Sequence, residues 1–188
     1  IYTRKLRHNC EKSNLKFQVI VKKNLVLLGM MAVGKTTLGK IVAKKQNFEF
    51  VDIDKNIEKK NFMSINEIFE KKGENFFRIE EEKEVIKCIK KERCVIALGG
   101  GAFINKKIRE NILKKTFSIW LDVDIKILNT RSKYNQNRPL LIKTNNQKIK
   151  EIYDERKTIY KLAHHKIICD KLDKKEIVKK IIELYELQ

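Results

Sequence analysis

The chain has 188 residues, with 43 Lys or Arg against 24 Asp or Glu, and a net charge of +19 at pH 7. This length suits one α/β domain with a hydrophobic core, and no apolar run approaches the roughly 18 residues that a membrane helix needs. The Lys residues are spread along the whole chain and are not interleaved with aromatic residues, so we expect no binding to nucleic acid or to membranes.

Residues 1–23 are polar and basic and show no clear period, so we treat them as an N-terminal extension of a domain over 24–188. The chain begins with Ile1 and not with Met, which indicates a fragment or a processed product. Four cysteines without metal-binding spacing favour a reducing compartment. We therefore expect a cytoplasmic protein, or a plastid protein if the extension is the remnant of a precursor.

A phosphate-binding loop follows the first apolar run, residues 25–28. Residues 29–37 read Gly-Met-Met-Ala-Val-Gly-Lys-Thr-Thr and match the pattern G-x-x-x-x-G-K-[ST]. Backbone N–H groups of such a loop and of the helix after it surround the phosphates of a nucleotide. The pattern predicts ATP binding by Ala32, Val33, Gly34, Lys35, Thr36 and Thr37, with Lys35 at the β/γ-phosphates and Thr36 at Mg²⁺.

Strands alternate with helices along the rest of the chain, which predicts an α/β fold with a parallel sheet. Predicted strands cover 25–28, 48–53, 94–98, 117–121 and 167–169. Predicted helices cover 35–46, 64–73, 74–91, 105–114, 124–132, 147–163 and 173–187. We expect His164 and His165 to interact with the dipole at the C-terminal end of a helix.

Two acids end the second predicted strand in the run Asp52-Ile53-Asp54. Asp52 is a candidate Mg²⁺ ligand opposite Thr36, and Asp54 could hold an acceptor hydroxyl and take its proton. The alternative is that both acids cap the next helix. Asp122 follows another apolar strand and is a rival for the metal-binding carboxylate, although we favour Asp52.

Three glycines and three arginines complete the candidate site. Gly99-Gly100-Gly101 follows a buried strand and could offer bare N–H groups to a ligand, although an ordinary tight turn explains it equally well. Arginine is rare in this Lys-rich chain and indicates a need for its planar fork. Arg138 lies in an Asn-rich segment of lid length. Arg78 and Arg156 lie beside glutamates, so surface ion pairs would also explain them.

Six motifs follow one another along the chain: Leu28–Thr37, Phe50–Asp54, Gly73–Glu81, Ala97–Ala102, Arg138–Leu141 and Glu155–Tyr160. In this order they resemble the motifs of the shikimate kinase family, from about residue 24 to the C-terminus. The resemblance implies a three-layer P-loop kinase fold with a central five-stranded parallel sheet and a mobile lid. It also implies transfer of the ATP γ-phosphoryl group to the 3-hydroxyl of shikimate by a monomer.

The same resemblance assigns roles to single residues. Catalytic residues would be Lys35, Asp54 and Arg138, and Asp52 would act with Thr36 at Mg²⁺. Asp54 would hold the shikimate hydroxyls. The substrate carboxylate would be bound by Arg78 and Arg156, oriented by Glu81, beside backbone contacts from Gly100. Nucleotide contacts would come from Arg138 over the phosphates and from Arg131 on the adenine.

Two departures from the family pattern lie in the phosphate loop, where Ala32 and Val33 replace a usual Gly and a small residue. An Ala at a position that needs φ > 0 costs about 1 kcal/mol, so we expect weaker or unchanged ATP binding. The usual Pro near the adenine is missing from residues 170–175. Two alternatives stay open: a gluconate-type kinase of the same fold, and a non-catalytic nucleotide-binding relative.

Overall fold

A computed structural model describes residues 23–128 and 146–188, and its centre is a parallel sheet. The strands are β1 (Leu25–Leu28), β2 (Glu49–Asp52), β3 (Cys94–Ala97), β4 (Phe117–Asp122) and β5 (His165–Ile168). They lie in the order β2-β3-β1-β4-β5, and every neighbouring pair is parallel. The predicted five-stranded parallel sheet is confirmed.

Residues 125–128 are helical, and six further α-helices lie in the described part of the chain. They are α1 (Lys35–Gln46), α2 (Ile53–Asn61), α3 (Ile65–Cys88), α4 (Lys106–Lys115), α5 (Asn146–Tyr160) and α6 (Lys174–Glu186). Strands β1, β3 and β4 are buried at every position, as expected for parallel strands covered on both faces. Among the described helices, none combines the length and the apolarity needed to span a bilayer.

Several element boundaries differ from the prediction for local reasons. Strand β2 ends at Asp52 because the Asp52 side chain accepts the Lys55 N–H and starts α2 there. The break predicted at Gly73 is a kink inside α3, with φ 81° and ψ 166°. Helix α3 ends at Cys88 and not at 91, α5 ends at Tyr160 and not at 163, and the last strand starts at His165 and not at 167.

The dipole role expected for His164 is wrong. The ring lies beyond the end of α5, and its Nδ1 accepts the Ser118 N–H at 3.1 Å and contacts the Ser118 hydroxyl at 2.7 Å. Its Nε2 lies 3.1 Å from the carbonyl oxygen of Leu113. This arrangement requires a neutral ring that carries its proton on Nε2, and it ties β4 to α4.

Candidate active site

The phosphate loop joins β1 to α1 and contains three residues with positive φ. These are Gly29 at 139°, Ala32 at 63° and Gly34 at 97°. A β-carbon at Gly29 would lie 2.5 Å from the backbone oxygen of Leu121, so this position requires glycine. Ala32 adopts the left-handed conformation that the family pattern, with its usual Gly, implies for this position, at a cost of about 1 kcal/mol.

Lys35 closes this loop from inside. Its side chain is buried, and Nζ donates hydrogen bonds of 2.8 Å to the carbonyl oxygens of both Gly29 and Met30. A buried ammonium group needs such partners. The lysine therefore holds the loop in shape, and its charge lies where the pattern places the phosphates.

Thr36 and Asp52 meet at the first turn of α1. The Thr36 hydroxyl donates to Asp52 Oδ2 at 2.7 Å, while Asp52 Oδ1 accepts the Lys55 N–H at 3.2 Å. Asp52 therefore caps α2, as the alternative prediction had it, and also binds the Thr36 hydroxyl. Oxygen ligands of this kind suit Mg²⁺, which keeps waters and substrate phosphates in its shell. Within the described ranges, no cluster of three or more His, Cys, Asp or Glu side chains could hold a metal alone.

The glycine turn after β3 leaves room for two carboxylates. A β-carbon at Gly99 would lie 2.7 Å from Asp54 Oδ1 and 2.7 Å from Glu81 Oε1. Asp54 comes from the first turn of α2, and Glu81 comes from the middle of α3. The structure therefore brings the two predicted acids to one point on the turn.

The same turn lies directly under two guanidinium groups. A β-carbon at Gly101 would lie 2.6 Å from Arg78 Nη1, and one at Gly100 would lie 3.3 Å from Arg156 Nη1. The three glycines thus do more than allow a tight bend, because side chains of the site occupy the space that β-carbons would fill. The turn and the four charged residues form what we call the acceptor cluster: Asp54, Arg78, Glu81, Gly99–Gly101 and Arg156.

Arg78 has partners that fix its direction. Nη1 donates to Glu81 Oε2 at 2.7 Å, and Nη2 donates to Glu74 Oε1 at 3.0 Å. The guanidinium carbon lies 5.3 Å from the centre of the Phe77 ring. Partial burial opposes the charge of Arg78, but Glu81 and Glu74 outweigh it and raise the pKa of the guanidinium. This pairing is not an ordinary surface pair, since the Glu81 side chain is 1% exposed.

Glu81 is a strongly perturbed acid of the cluster. Its Oε1 is buried and has no hydrogen-bond partner among the described residues. Burial raises the pKa of this carboxyl to about 7, against the lowering effect of Arg78 and, more weakly, of Arg156. The negative charge of Asp54 adds to the rise. An oxygen without a partner in such a place is a candidate acceptor for a polar ligand or a water.

The phosphate loop and the acceptor cluster lie next to each other. A β-carbon at Gly100 would lie 3.5 Å from the backbone nitrogen of Met31 and 3.8 Å from the carbonyl oxygen of Gly29. Both regions lie at the carboxyl ends of β1 and β3, the neighbouring strands that precede them. Ligands of parallel α/β sheets bind at this edge.

Asp122, the rival of Asp52, has a structural explanation. It is buried at the end of β4, where Oδ1 accepts the Tyr153 hydroxyl at 2.8 Å and Oδ2 pairs with Lys166 at 2.7 Å. Its oxygens therefore join α5 and β5 to β4. Asp52, in contact with Thr36, is the better placed of the two acids for a metal ion.

Two of the predicted site residues are arginines that the structure does not describe. Arg131 and Arg138 lie outside the described residues, as do the Asn-rich segment and residues 1–22. The sequence pattern predicts only a core position for Phe77 and no role for Tyr153 or Tyr160. Tyr160 is the last residue of the motif Glu155–Tyr160, which is the signal in the sequence that marks it.

Comparisons with known proteins agree on one family. The family model for shikimate kinase matches residues 31–186. A shikimate kinase from Sulfurihydrogenibium is 44% identical over 161 residues, which are 85% of this chain and 96% of that protein. The structure of shikimate kinase from Acinetobacter baumannii in complex with shikimate has a TM-score of 0.83 and 30% identity, covering 88% of this chain and 93% of that one. A gluconokinase structure from Sinorhizobium meliloti, with a TM-score of 0.56 and 14% identity, shares the fold alone.

Proposed function

The chain belongs to the shikimate kinase family, and we propose that the phosphate loop and the acceptor cluster are its two substrate sites. The reaction is transfer of the γ-phosphoryl group of ATP to the 3-hydroxyl of shikimate, which yields shikimate 3-phosphate and ADP. It serves the biosynthesis of aromatic amino acids. The observation that supports these two sites most directly is the position of Gly100, where a β-carbon would lie within 3.5 Å of both the phosphate loop and Arg156.

Each group of the acceptor cluster matches a part of shikimate. The guanidinium groups of Arg78 and Arg156 reach the glycine turn from two helices and suit the carboxylate, which planar forks bind with two hydrogen bonds. Asp54, which lies beside Gly99, suits the ring hydroxyls. Glu81 holds Arg78 through a 2.7 Å hydrogen bond.

The chemical step follows from these positions. The 3-oxygen of shikimate forms a bond to the γ-phosphorus while the bond from that phosphorus to the β–γ bridging oxygen breaks and ADP leaves. Asp54 accepts the hydroxyl proton as this bond forms. Lys35 and the loop N–H groups stabilise the negative charge on the phosphates.

A magnesium ion and two arginines complete the proposal. Thr36 and Asp52 would hold Mg²⁺, which neutralises phosphate charge when it is bound. Arg138 would stabilise the transferring phosphoryl group and Arg131 would stack on the adenine, as the family resemblance implies. The nucleotide and acceptor residues of the described ranges lie together in one chain, which supports action as a monomer.

A coupled ADP-release assay with Mg-ATP tests the function, with shikimate, gluconate or no acceptor in parallel. We expect ADP release that depends on shikimate. Asp54→Asn should abolish turnover and keep ATP binding, whereas Asp154→Asn, at an exposed position of α5, should keep both. Near-normal turnover in Asp54→Asn would show that Asp54 does not act in the chemical step. ADP release with gluconate but not with shikimate would show that shikimate is not the acceptor.

A further inference from the structure

Helix α5 approaches the glycine turn through a second residue besides Arg156. Tyr160 follows Arg156 by four positions, so both side chains lie on the same face of the helix. The Tyr160 side chain is 1% exposed, and its hydroxyl donates a hydrogen bond to the carbonyl oxygen of Gly100. The Tyr160 hydroxyl therefore binds Gly100, the residue that lies between the two proposed substrate sites.

The surroundings of the Tyr160 hydroxyl include the phosphate loop. Its oxygen lies 4.0 Å from the sulfur of Met30, a residue of that loop. Its ring centre lies 5.9 Å from that of Trp120 on β4. Burial raises the pKa of the Tyr160 hydroxyl, against the lowering effect of the nearby Arg156 charge. The hydroxyl thus stays protonated and remains a hydrogen-bond donor.

We propose that Tyr160 is a positioning residue for phosphoryl transfer, which sets the Gly100 turn and Arg156 at a fixed distance from the phosphate loop. This role of Tyr160 rests on the proposed function of the acceptor cluster. A β-carbon at Gly100 would lie 3.3 Å from Arg156 Nη1 and 3.5 Å from the backbone nitrogen of Met31, so Gly100 lies beside both Arg156 and the loop. A shift of its carbonyl therefore moves the acceptor cluster relative to the phosphates. Transfer rates fall steeply with such misplacement, because reacting atoms must lie in line within about 3–3.5 Å.

The chain offers a matched control for this hydroxyl. Tyr185 on α6 is equally buried, and its hydroxyl also donates to a backbone carbonyl, that of Lys23, at 2.8 Å. Lys23 precedes β1, at the end of the strand opposite the phosphate loop. Tyr160→Phe and Tyr185→Phe each remove one buried hydroxyl that donates to a backbone carbonyl. Only Tyr160→Phe changes a contact of the acceptor cluster.

Steady-state kinetics with each substrate varied in turn test the proposal. For Tyr160→Phe we expect kcat/KM for shikimate to fall about tenfold, mostly through kcat, because one buried hydrogen bond at the acceptor is lost. KM for ATP should stay within about twofold of wild type, as should all constants of Tyr185→Phe. Tyr160→Phe with wild-type kcat, or with losses equal to those of Tyr185→Phe, would overturn the proposal.

Amide hydrogen exchange adds a readout that needs no turnover. In Tyr160→Phe the amides of residues 99–102 should exchange faster than in wild type, and in Tyr185→Phe they should not. Unchanged exchange over 99–102 would show that Tyr160 does not hold the turn. If wild-type protein released no ADP with shikimate, the proposed function would fail, while the exchange experiment would still decide whether Tyr160 fixes Gly100.

Discussion

Replacing Gly101 by alanine should weaken shikimate binding without unfolding the protein. The new β-carbon would lie 2.6 Å from Arg78 Nη1, whereas ordinary contacts begin near 3.4 Å. The guanidinium group must therefore withdraw by most of an ångström. The backbone is not strained, because φ of Gly101 is −96°, a value open to every residue.

The size of the effect follows from the contacts of Arg78. Displacement disturbs its 2.7 Å hydrogen bond to Glu81 and its alignment toward the substrate carboxylate. A hydrogen bond between charged groups contributes about 1.5–3 kcal/mol. That range corresponds to a rise of roughly ten- to a hundredfold in KM for shikimate. KM for ATP should hardly change.

The assay is ADP release at saturating Mg-ATP with shikimate varied, alongside a thermal melt of each variant. Gly100→Ala should show a smaller effect than Gly101→Ala, because its β-carbon would lie 3.3 Å from Arg156. If the substitution acts through Arg78, then the double variant Arg78→Ala/Gly101→Ala should be no worse than Arg78→Ala alone. A KM for shikimate within twofold of wild type in a folded Gly101→Ala protein would refute the reasoning.

Three further predictions concern stability. Gly29→Ala should lower the free energy of unfolding by about 2–4 kcal/mol in urea titrations, because its β-carbon would lie 2.5 Å from a backbone oxygen at φ 139°; an unchanged midpoint would contradict this. Phe62→Asn should raise the same quantity by about 0.5–1 kcal/mol, because Phe62 is 96% exposed at φ 53°, where asparagine is better tolerated; a lower melting temperature would argue against it. Burial lowers the pKa of His164 below its ordinary value of 6.5, so its stabilising contribution is complete above pH 6.5 and declines as the pH falls toward the lowered value. In chemical unfolding, His164→Asn should remove that part of the pH dependence, and an identical slope in both proteins would exclude it.

Local patterns made most of the fold predictable. The sheet and the phosphate loop follow from short apolar runs, helix caps and glycines, each of which acts within a few residues of itself. Gly73 marked the kink in α3 because glycine accepts positive φ. The errors came where a distant partner decides the outcome. His164 looks like the end of a helix in the sequence, but its place is set by Ser118, 46 residues earlier.

The candidate site was predictable in its members more than in its arrangement. The family resemblance named Asp54, Arg78, Glu81 and Arg156 together. The sequence could not show that they converge on the Gly99–Gly101 turn, since three helices and one strand contribute to that point. The role of Tyr160 was hidden for the same reason, because a buried tyrosine on an amphipathic helix is most often part of the core. What distinguishes Tyr160 from a core tyrosine is the hydrogen bond of its hydroxyl to Gly100, which lies 60 residues earlier in the sequence.

Lys35 explains how the phosphate loop tolerates Ala32. Its two 2.8 Å hydrogen bonds hold the carbonyls of Gly29 and Met30, so the loop shape does not depend on Ala32 alone. Each bond to a charged donor is worth about 1.5–3 kcal/mol, more than the roughly 1 kcal/mol that Ala32 costs at φ 63°. A phosphate that draws the ammonium group away must replace those bonds. The strain at Ala32 disfavours the loop shape, and the Lys35 contacts favour it. Ala32→Gly should therefore relieve the strain and leave the Lys35 contacts in place. Lys35→Met should remove the support of the loop together with the charge that binds the phosphates.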